Sequence, residues 1–243
     1  MRTKLTIMAI VAALDIAAAT VGILLILLLG GWTAAGIIVG LAGLLLLAYR
    51  YLIQPWHARW GATDEEAARP MPGDELLEGA SSRTRAITID ARPEEVWPWL
   101  VQLGYRRAGW YSYDWIDNDG RPSASRIVPE LQHLEPGDQI AMVPGMGPRV
   151  RAVEPNRYLV AGDADGGTWC LALYPIGDGR TRLVSRWRAR WPITLATLFW
   201  VLVGDPGSFV MERKMLLNLK ARAEHAAARA EFAGRRQAGV PAR

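Results

Sequence analysis

Two long apolar stretches open the chain, and a pattern of short alternating segments follows them. Residues 5–29 include only four positions outside the Ala, Val, Ile, Leu and Met set, and residues 32–53 form the second stretch. At a rise of about 1.5 Å per residue, each exceeds the roughly 30 Å apolar core of a bilayer. The pattern predicts a transmembrane helical hairpin over residues 1–60, with spans at about 5–29 and 32–53.

Charges flanking the two stretches suggest an orientation. Arg2 and Lys4 precede the first stretch, Arg50 and Arg59 lie at or beyond the end of the second, and the connecting turn has no charge. Because Lys and Arg favour cytoplasmic flanks, we expect a multi-pass inner-membrane protein with both termini in the cytoplasm. A cleaved signal peptide is the competing interpretation, but the apolar run continues for ten residues past the small-residue site at 17–19.

The rest of the chain predicts an α+β domain. Residues 61–82 are rich in Gly, Pro, Ala and acid without an apolar period, which is typical of a linker. Alternation over 83–90 predicts a strand, and Pro93 suits the first turn of a helix. Later alternating runs separated by turns predict further strands at 138–143, 149–153, 157–162, 168–174 and 180–191.

A long C-terminal helix completes this pattern. Asp205 and Pro206 supply a cap and a first-turn proline, and an apolar stripe continues to about Phe232. We expect this helix to lie across one face of a curved antiparallel sheet, which leaves room for a cavity. The predicted domain covers 83–233, and residues 234–243 are expected to form a disordered basic tail.

Composition and charge narrow the function. The chain is 51% hydrophobic with a net charge of +4, and the apolar excess falls in residues 1–60. Residues 61–211 hold 16 basic and 20 acidic side chains, so there is no basic surface of the kind that nucleic acid requires. One cysteine and three dispersed histidines exclude a disulfide framework and a zinc motif, and no cofactor is predicted.

Three runs resemble a known superfamily. The runs are PWLVQLGYRRAGWYSYDWIDN at 98–118, HLEPGDQI at 133–140 and MERKMLLNLKARAE at 211–224. Together with the element order they resemble a bacterial branch of the START-like, or SRPBCC, superfamily of polyketide-cyclase and birch-allergen folds. The resemblance covers about 83–232. It implies a helix-grip fold around an apolar pocket and no particular activity. Ser208 and Asn218 depart from the histidine and glycine expected near those positions.

An aromatic cluster and one strand supply the candidate pocket. Tyrosine hydroxyls can fix the polar end of a ligand whose apolar body is buried by rings. Trp169 and Leu171 share a strand face, and methionines on the C-terminal helix suit irregular ligands. Ordinary core packing remains the alternative for each residue. The predicted ligand-binding residues are Tyr111, Tyr113, Trp115, Trp169, Leu171, Met211 and Met215.

The remaining hypotheses concern possible catalytic acids and a possible contact with the membrane surface. No catalytic residue is assigned, although Asp114 and Tyr113 would serve an enzyme, and the Asp117–Gly120 run is interpreted as a solvent turn. Residues 191–203 are apolar and too short to span a bilayer, so they suggest an interfacial segment. Outward arginines on the preceding strand would meet anionic headgroups or remain solvated. They are Arg182, Arg186, Arg188 and Arg190.

Together these features predict a membrane-anchored protein whose cytoplasmic START-like domain binds a hydrophobic ligand. A lipid, an isoprenoid or a polyketide-like molecule would fit the expected apolar pocket. Two alternatives stay open: a cyclase or dehydratase acting on a hydrophobic substrate, and a regulatory module that binds a protein partner.

Overall fold

The computed structural model describes residues 20–24, 26–28, 30–163, 166–177, 179–190 and 204–237. The chain divides into two units, Met1–Pro55 and Trp56–Arg243. In the N-terminal part, helix α1 (Gly31–Ala48) continues through a π-helical turn (Tyr49–Ile53) into helix α2 (Gln54–Ala58).

The prediction of a multi-pass inner-membrane protein is wrong. Within the described part of the chain, a single helix, Gly31–Ala58, is long and apolar enough to cross a bilayer. One such helix near the N-terminus is equally typical of a signal sequence. Most of the first predicted span, at 5–29, lies outside the described residues.

Five antiparallel strands and a long C-terminal helix give the second unit an α+β fold. The strands are β1 (Ser81–Ile89), β2 (Val150–Glu154), β3 (Tyr158–Asp163), β4 (Gly167–Ile176) and β5 (Arg180–Ala189). They form one curved sheet in the order β1-β5-β4-β3-β2. The strand expected at 138–143 makes only single bridges, Gln139 with Arg149 and Val143 with Met146.

The helices of this unit are short except for the last. They are α3 (Asp64–Ala68), α4 (Pro93–Val101), α5 (Asp114–Asp117) and α6 (Asp205–Gln237), with 3-10 turns at Asp74–Leu77 and Pro129–Leu131. Helix α6 extends past the predicted end at Phe232, so residues 234–237 of the expected tail are helical. Residues 238–243 and the apolar segment at 191–203 lie outside the described residues.

The larger hydrophobic core lies between the inner face of the sheet and helices α4 and α6. Leu216 and Leu219 of α6 are fully buried in one cluster with Leu171 of β4 and Leu183 of β5, and Leu100 of α4 joins them. Alternation along the strands places Leu171 and Leu173 on this same face. The helix therefore covers the sheet as its apolar stripe predicts.

The outer face of the sheet is covered as well, by the segment expected to be a linker. Met71 is buried in a second cluster with Ala86, Val160 and Val184 on that face. Gly61 has φ 72°, and a Cβ there would lie 2.2 Å from the carbonyl oxygen of Ala86, so only glycine permits this approach. Met71, Gly73 and Leu77 of this segment are buried, so part of residues 61–80 packs on the sheet, contrary to its linker-like composition.

Charge explains why an acidic segment packs on this face. Arg186 of β5 is 4% exposed and makes five hydrogen bonds, including one of 2.7 Å to Asp74. Arg182 binds both carboxylate oxygens of Glu66, at 2.7 and 2.8 Å, and this hydrogen bonding lowers the pKa of Glu66. Arg188 lies 3.2 Å from Asp74. These arginines bind the chain's own acids and carbonyls, not the headgroups suggested by the sequence.

We expect Arg186→Met to destabilise the protein by about 3 kcal/mol, because the substitution removes the five hydrogen bonds of a buried guanidinium and leaves three backbone carbonyls without this donor, while Asp74 keeps only Arg188 as a cationic partner. Urea unfolding of the full chain measures this change. The matched control is Arg157→Met, whose pair with Glu154 is largely exposed and is worth less than about 1 kcal/mol. Equal losses in the two variants would contradict the role given to Arg186.

Candidate functional site

A cavity of about 270 Å³ lies between the inner face of the sheet and the N-terminal half of α6. One wall is apolar: the rings of Trp110 and Trp169 have centroids 5.8 Å apart, and those of Trp169 and Trp187 lie 6.1 Å apart. Met142, Met211 and Met215 complete this surface. The full lining comprises Arg83, Arg85, Trp110, Ser112, Asp117, Met142, Trp169, Trp187, Asp205, Ser208, Met211, Glu212 and Met215.

The strand register brings these side chains together. Trp169 of β4 pairs directly with Trp187 of β5, and Trp187 pairs in turn with Arg83 of β1. Directly opposed residues of antiparallel strands project on the same face. One transverse row of the sheet therefore presents two indole rings and a guanidinium to the cavity.

The polar end of the cavity consists of two arginine–carboxylate pairs. Arg83 Nε lies 2.7 Å from Asp205 Oδ1, and Arg85 pairs with Glu212. The next row extends this network, since Trp169 Nε1 donates to Ser185 Oγ at 2.9 Å and Ser185 donates to Glu212 at 2.6 Å. The two pairs join β1 to the first turns of α6 and balance two positive charges with two negative ones.

Asp117 differs from the other acids of the cavity. It is 7% exposed, and neither carboxylate oxygen has a hydrogen-bond partner among the described residues. Burial raises the pKa of Asp117, and the negative charge of Asp114 raises it further, whereas the nearby Ser112 hydroxyl and the backbone N–H groups of Tyr113 and Asp117 oppose this rise; no cation in the described part of the chain contributes to it. The sequence interpretation of Asp117 as part of a solvent turn is therefore wrong.

The residues around Asp117 are fixed by hydrogen bonds, which holds its carboxyl in place. Asn118 accepts from the backbone N–H of Arg106 at 3.0 Å. Asp119 accepts from the Tyr105 hydroxyl at 2.5 Å and from Arg106 at 2.8 Å. Asn118 and Asp119 therefore tie the residues next to Asp117 to the Tyr105–Arg106 turn.

The cavity contains three of the predicted ligand-binding residues, Trp169, Met211 and Met215. Leu171 lies in the core and does not line the cavity. Tyr111 is also placed elsewhere: it is 1% exposed, its hydroxyl accepts from Gln102 at 2.7 Å and donates to the Trp99 carbonyl at 3.2 Å. Burial raises the pKa of Tyr111 to about 12. Its hydroxyl stabilises the core and does not face a ligand.

The other predicted residues also lie away from the cavity. Tyr113 lines a separate surface groove, where Lys214 Nζ is 3.7 Å from the centre of its ring. Trp115 is half-buried and outside the cavity lining. Asp114 accepts hydrogen bonds from the backbone N–H and the hydroxyl of Ser123. The residue pair suggested for an enzyme therefore does not reach the cavity.

Both departures from the resembled pattern have structural roles. Asn218 donates to the carbonyl of Tyr111 at 2.6 Å, which ties α6 to the turn where Tyr111 has φ 54°. Ser208 donates to the carbonyl of Asp205 at 2.9 Å and lines the cavity.

Sequence reasoning missed Arg85, Glu212, Trp187 and Asp117 as cavity residues. The position of Arg85 could have been predicted. Arg83 and Arg85 are separated from Ile87 and Ile89 by even numbers of residues, so strand alternation places all four on one face. No local pattern in the sequence marks Asp117. In the described part of the chain, no group of three or more His, Cys, Asp or Glu residues is placed to hold a metal ion.

Comparison with known proteins gives structural likenesses only. No family model matches the chain, and no curated protein matches it significantly. The solved structures similar to it include the protein SSP2350 from Staphylococcus saprophyticus, with a TM-score of 0.38 and 13% identity over 60% of this chain and 94% of that one. A polyketide-cyclase-like protein from Corynebacterium glutamicum has a TM-score of 0.32 and 17% identity over 64% and 97%.

A third likeness is to the self-sacrificing resistance protein CalC from Micromonospora echinospora. Its TM-score is 0.35, with 10% identity over 60% of this chain and 95% of that one. These TM-scores are too low to carry an argument about function. The α+β description rests on the strands and helices themselves.

We expect Asp117→Asn to stabilise the protein by about 1 kcal/mol at pH 7, because it removes a buried charge without a partner. The raised pKa means that the folded state keeps a proton which the unfolded state loses. The stability of the parent therefore falls as the pH rises from the pKa of Asp117 in the unfolded chain to its higher pKa in the folded protein. Below the unfolded pKa, Asp117 is protonated in both states and the stability gained by Asp117→Asn disappears. Urea unfolding of both proteins across this pH range measures the effect.

Asp119→Asn is the matched control, and we expect it to change the stability at neutral pH in the opposite direction, by lowering it. Hydrogen bonds from Tyr105 and Arg106 lower the pKa of Asp119, so its ionised form stabilises the folded state at neutral pH and this contribution is lost on acidification. An Asp117→Asn variant that is less stable than the parent at pH 7 would contradict the assignment.

Proposed function

We propose that the unit Trp56–Arg243 binds a small hydrophobic ligand in the cavity between the sheet and α6. The observation that carries the proposal is an open space of about 270 Å³ walled by three tryptophans and three methionines. Ligand pockets are typically apolar with a few placed polar groups, and this cavity has that composition.

Cavity size narrows the ligand class. An apolar cavity of about 150 Å³ holds benzene, whereas pockets for drug-sized ligands begin near about 300 Å³. The volume here favours a compact ligand of one or two rings over the long chain of a lipid. Indole rings offer flat surfaces to such a ligand, and methionine side chains adapt to its outline.

Binding has better support than the two alternatives. The enzyme hypothesis depends on Asp114 and Tyr113, and neither lines the cavity. A regulatory module that binds only protein partners would be expected to fill this space with its own side chains. The proposal concerns the cavity and is the same whether or not Gly31–Ala58 crosses a membrane.

A bulky side chain that fills the cavity should weaken the binding of a hydrophobic ligand. Met211→Trp places an indole in the cavity, and we expect the affinity for 1-methylnaphthalene, a two-ring hydrocarbon probe, to fall by at least about tenfold. Equilibrium dialysis of the full chain measures the affinity, and native mass spectrometry with solvent extraction identifies any ligand that is purified with the protein.

Val210→Trp is the matched control, because Val210 is the preceding residue of α6, is 48% exposed and lines the surface groove, not the cavity. We expect this variant to bind the probe as the parent does. The proposal would be overturned if the parent bound no probe and yielded no apolar molecule on extraction, or if Met211→Trp bound the probe as well as the parent.

A further inference from the structure

Three carboxylates line the cavity, and they differ in whether a cation already neutralises them. Asp205 and Glu212 pair with Arg83 and Arg85. Among the described residues, Asp117 has no such partner, and the cationic side chains that line the cavity are Arg83 and Arg85. With the two pairs cancelling, the ionised lining has one net negative charge, located at Asp117.

This carboxyl is positioned as a binding group. It is more than nine-tenths buried and lines the cavity, and its neighbours Asn118 and Asp119 are held by the hydrogen bonds described above. A buried acceptor without a partner costs free energy until a donor occupies it. A ligand that carries a cationic donor would therefore neutralise this charge without displacing a cation of the protein.

The apolar wall next to this charge also suits a cation. Trp110, Trp169 and Trp187 line the same cavity, and indole faces attract ammonium groups through their quadrupole, most strongly where water is excluded. A neutral ligand would bury its rings on this wall equally well, but it would leave the charge of Asp117 unbalanced. Burial and the charge of Asp114 raise the pKa of Asp117, which is the penalty that a bound ammonium group would relieve.

We propose that the cavity selects a hydrophobic amine, with its ammonium group paired to Asp117 and its ring system against the three tryptophans. This inference rests on the proposed binding function and adds the chemical class of the ligand. In this arrangement Asp117 supplies the specificity, and the apolar wall supplies most of the contact area.

Three probes that share a naphthalene ring system and differ in their polar group test the inference. They are 1-naphthylmethylamine, 1-naphthalenemethanol and 1-methylnaphthalene, measured by equilibrium dialysis at pH 7 against the full chain. We expect the parent to bind the amine at least about tenfold more tightly than the other two, as a buried charge-assisted pair requires. Asp117→Asn should lose this preference and keep its affinity for the hydrocarbon. The matched control is Glu130→Gln, because Glu130 is an exposed acid outside the cavity lining, and this variant should bind all three probes as the parent does.

The results separate this inference from the one on which it rests. If the hydrocarbon binds but the amine binds no more tightly, or if Asp117→Asn keeps the preference, the amine proposal is overturned and the binding function stands. A preference for the alcohol would also overturn it, because that selects a neutral donor. If none of the probes binds and extraction yields no apolar molecule, the proposed function itself fails. Since Asp117→Asn is expected to gain stability, its loss of preference would not come from unfolding.

Discussion

The structure of the second unit depends on one constraint: its sheet is covered on both faces, yet its strands carry arginines. Taking a charge out of water costs several kcal/mol, and the cost is offset only by a close partner of opposite charge. Arg186 on the outer face and Arg85 on the inner face are both nearly inaccessible to solvent. Each meets a carboxylate from outside the sheet, Asp74 and Glu212 respectively. The arginines of the strands thus select the segments that cover them.

The same charge pairs line the cavity at the N-terminal half of α6. Further along this helix, Leu216, Leu219 and Ala223 are fully buried in the core and leave no space. In its first turns the helix instead presents Asp205 and Glu212, which are held at the distance of an ion pair from Arg83 and Arg85. Together with Met211 and Met215, these groups face the tryptophans of the sheet across the cavity.

The positions of the strands, helices and charge pairs also show how far the sequence predicts the structure. Alternation and helical periodicity predict β1, the strands from 149 onward and α6, because these signals arise from burial on one face. The covering segment at 61–82 is missed because its composition is that of a linker, and its packing depends on arginines more than a hundred residues away. At the site, Trp169, Met211 and Met215 follow from strand and helix faces. Tyr111 does not, because a left-handed turn directs its backbone and two distant groups bind its hydroxyl.

The paired charges bear on ligand recognition as well. A ligand that replaced Glu212 as the partner of Arg85 would leave a half-buried carboxylate, which also accepts from Ser185, without its cation. The same holds for Arg83 and Asp205. Among the carboxylates of the lining, Asp117 is the one whose charge is not already used to hold the fold together. The proposed selectivity for an ammonium group therefore depends on Asp117, because the other two carboxylates of the lining already pair with arginines of β1.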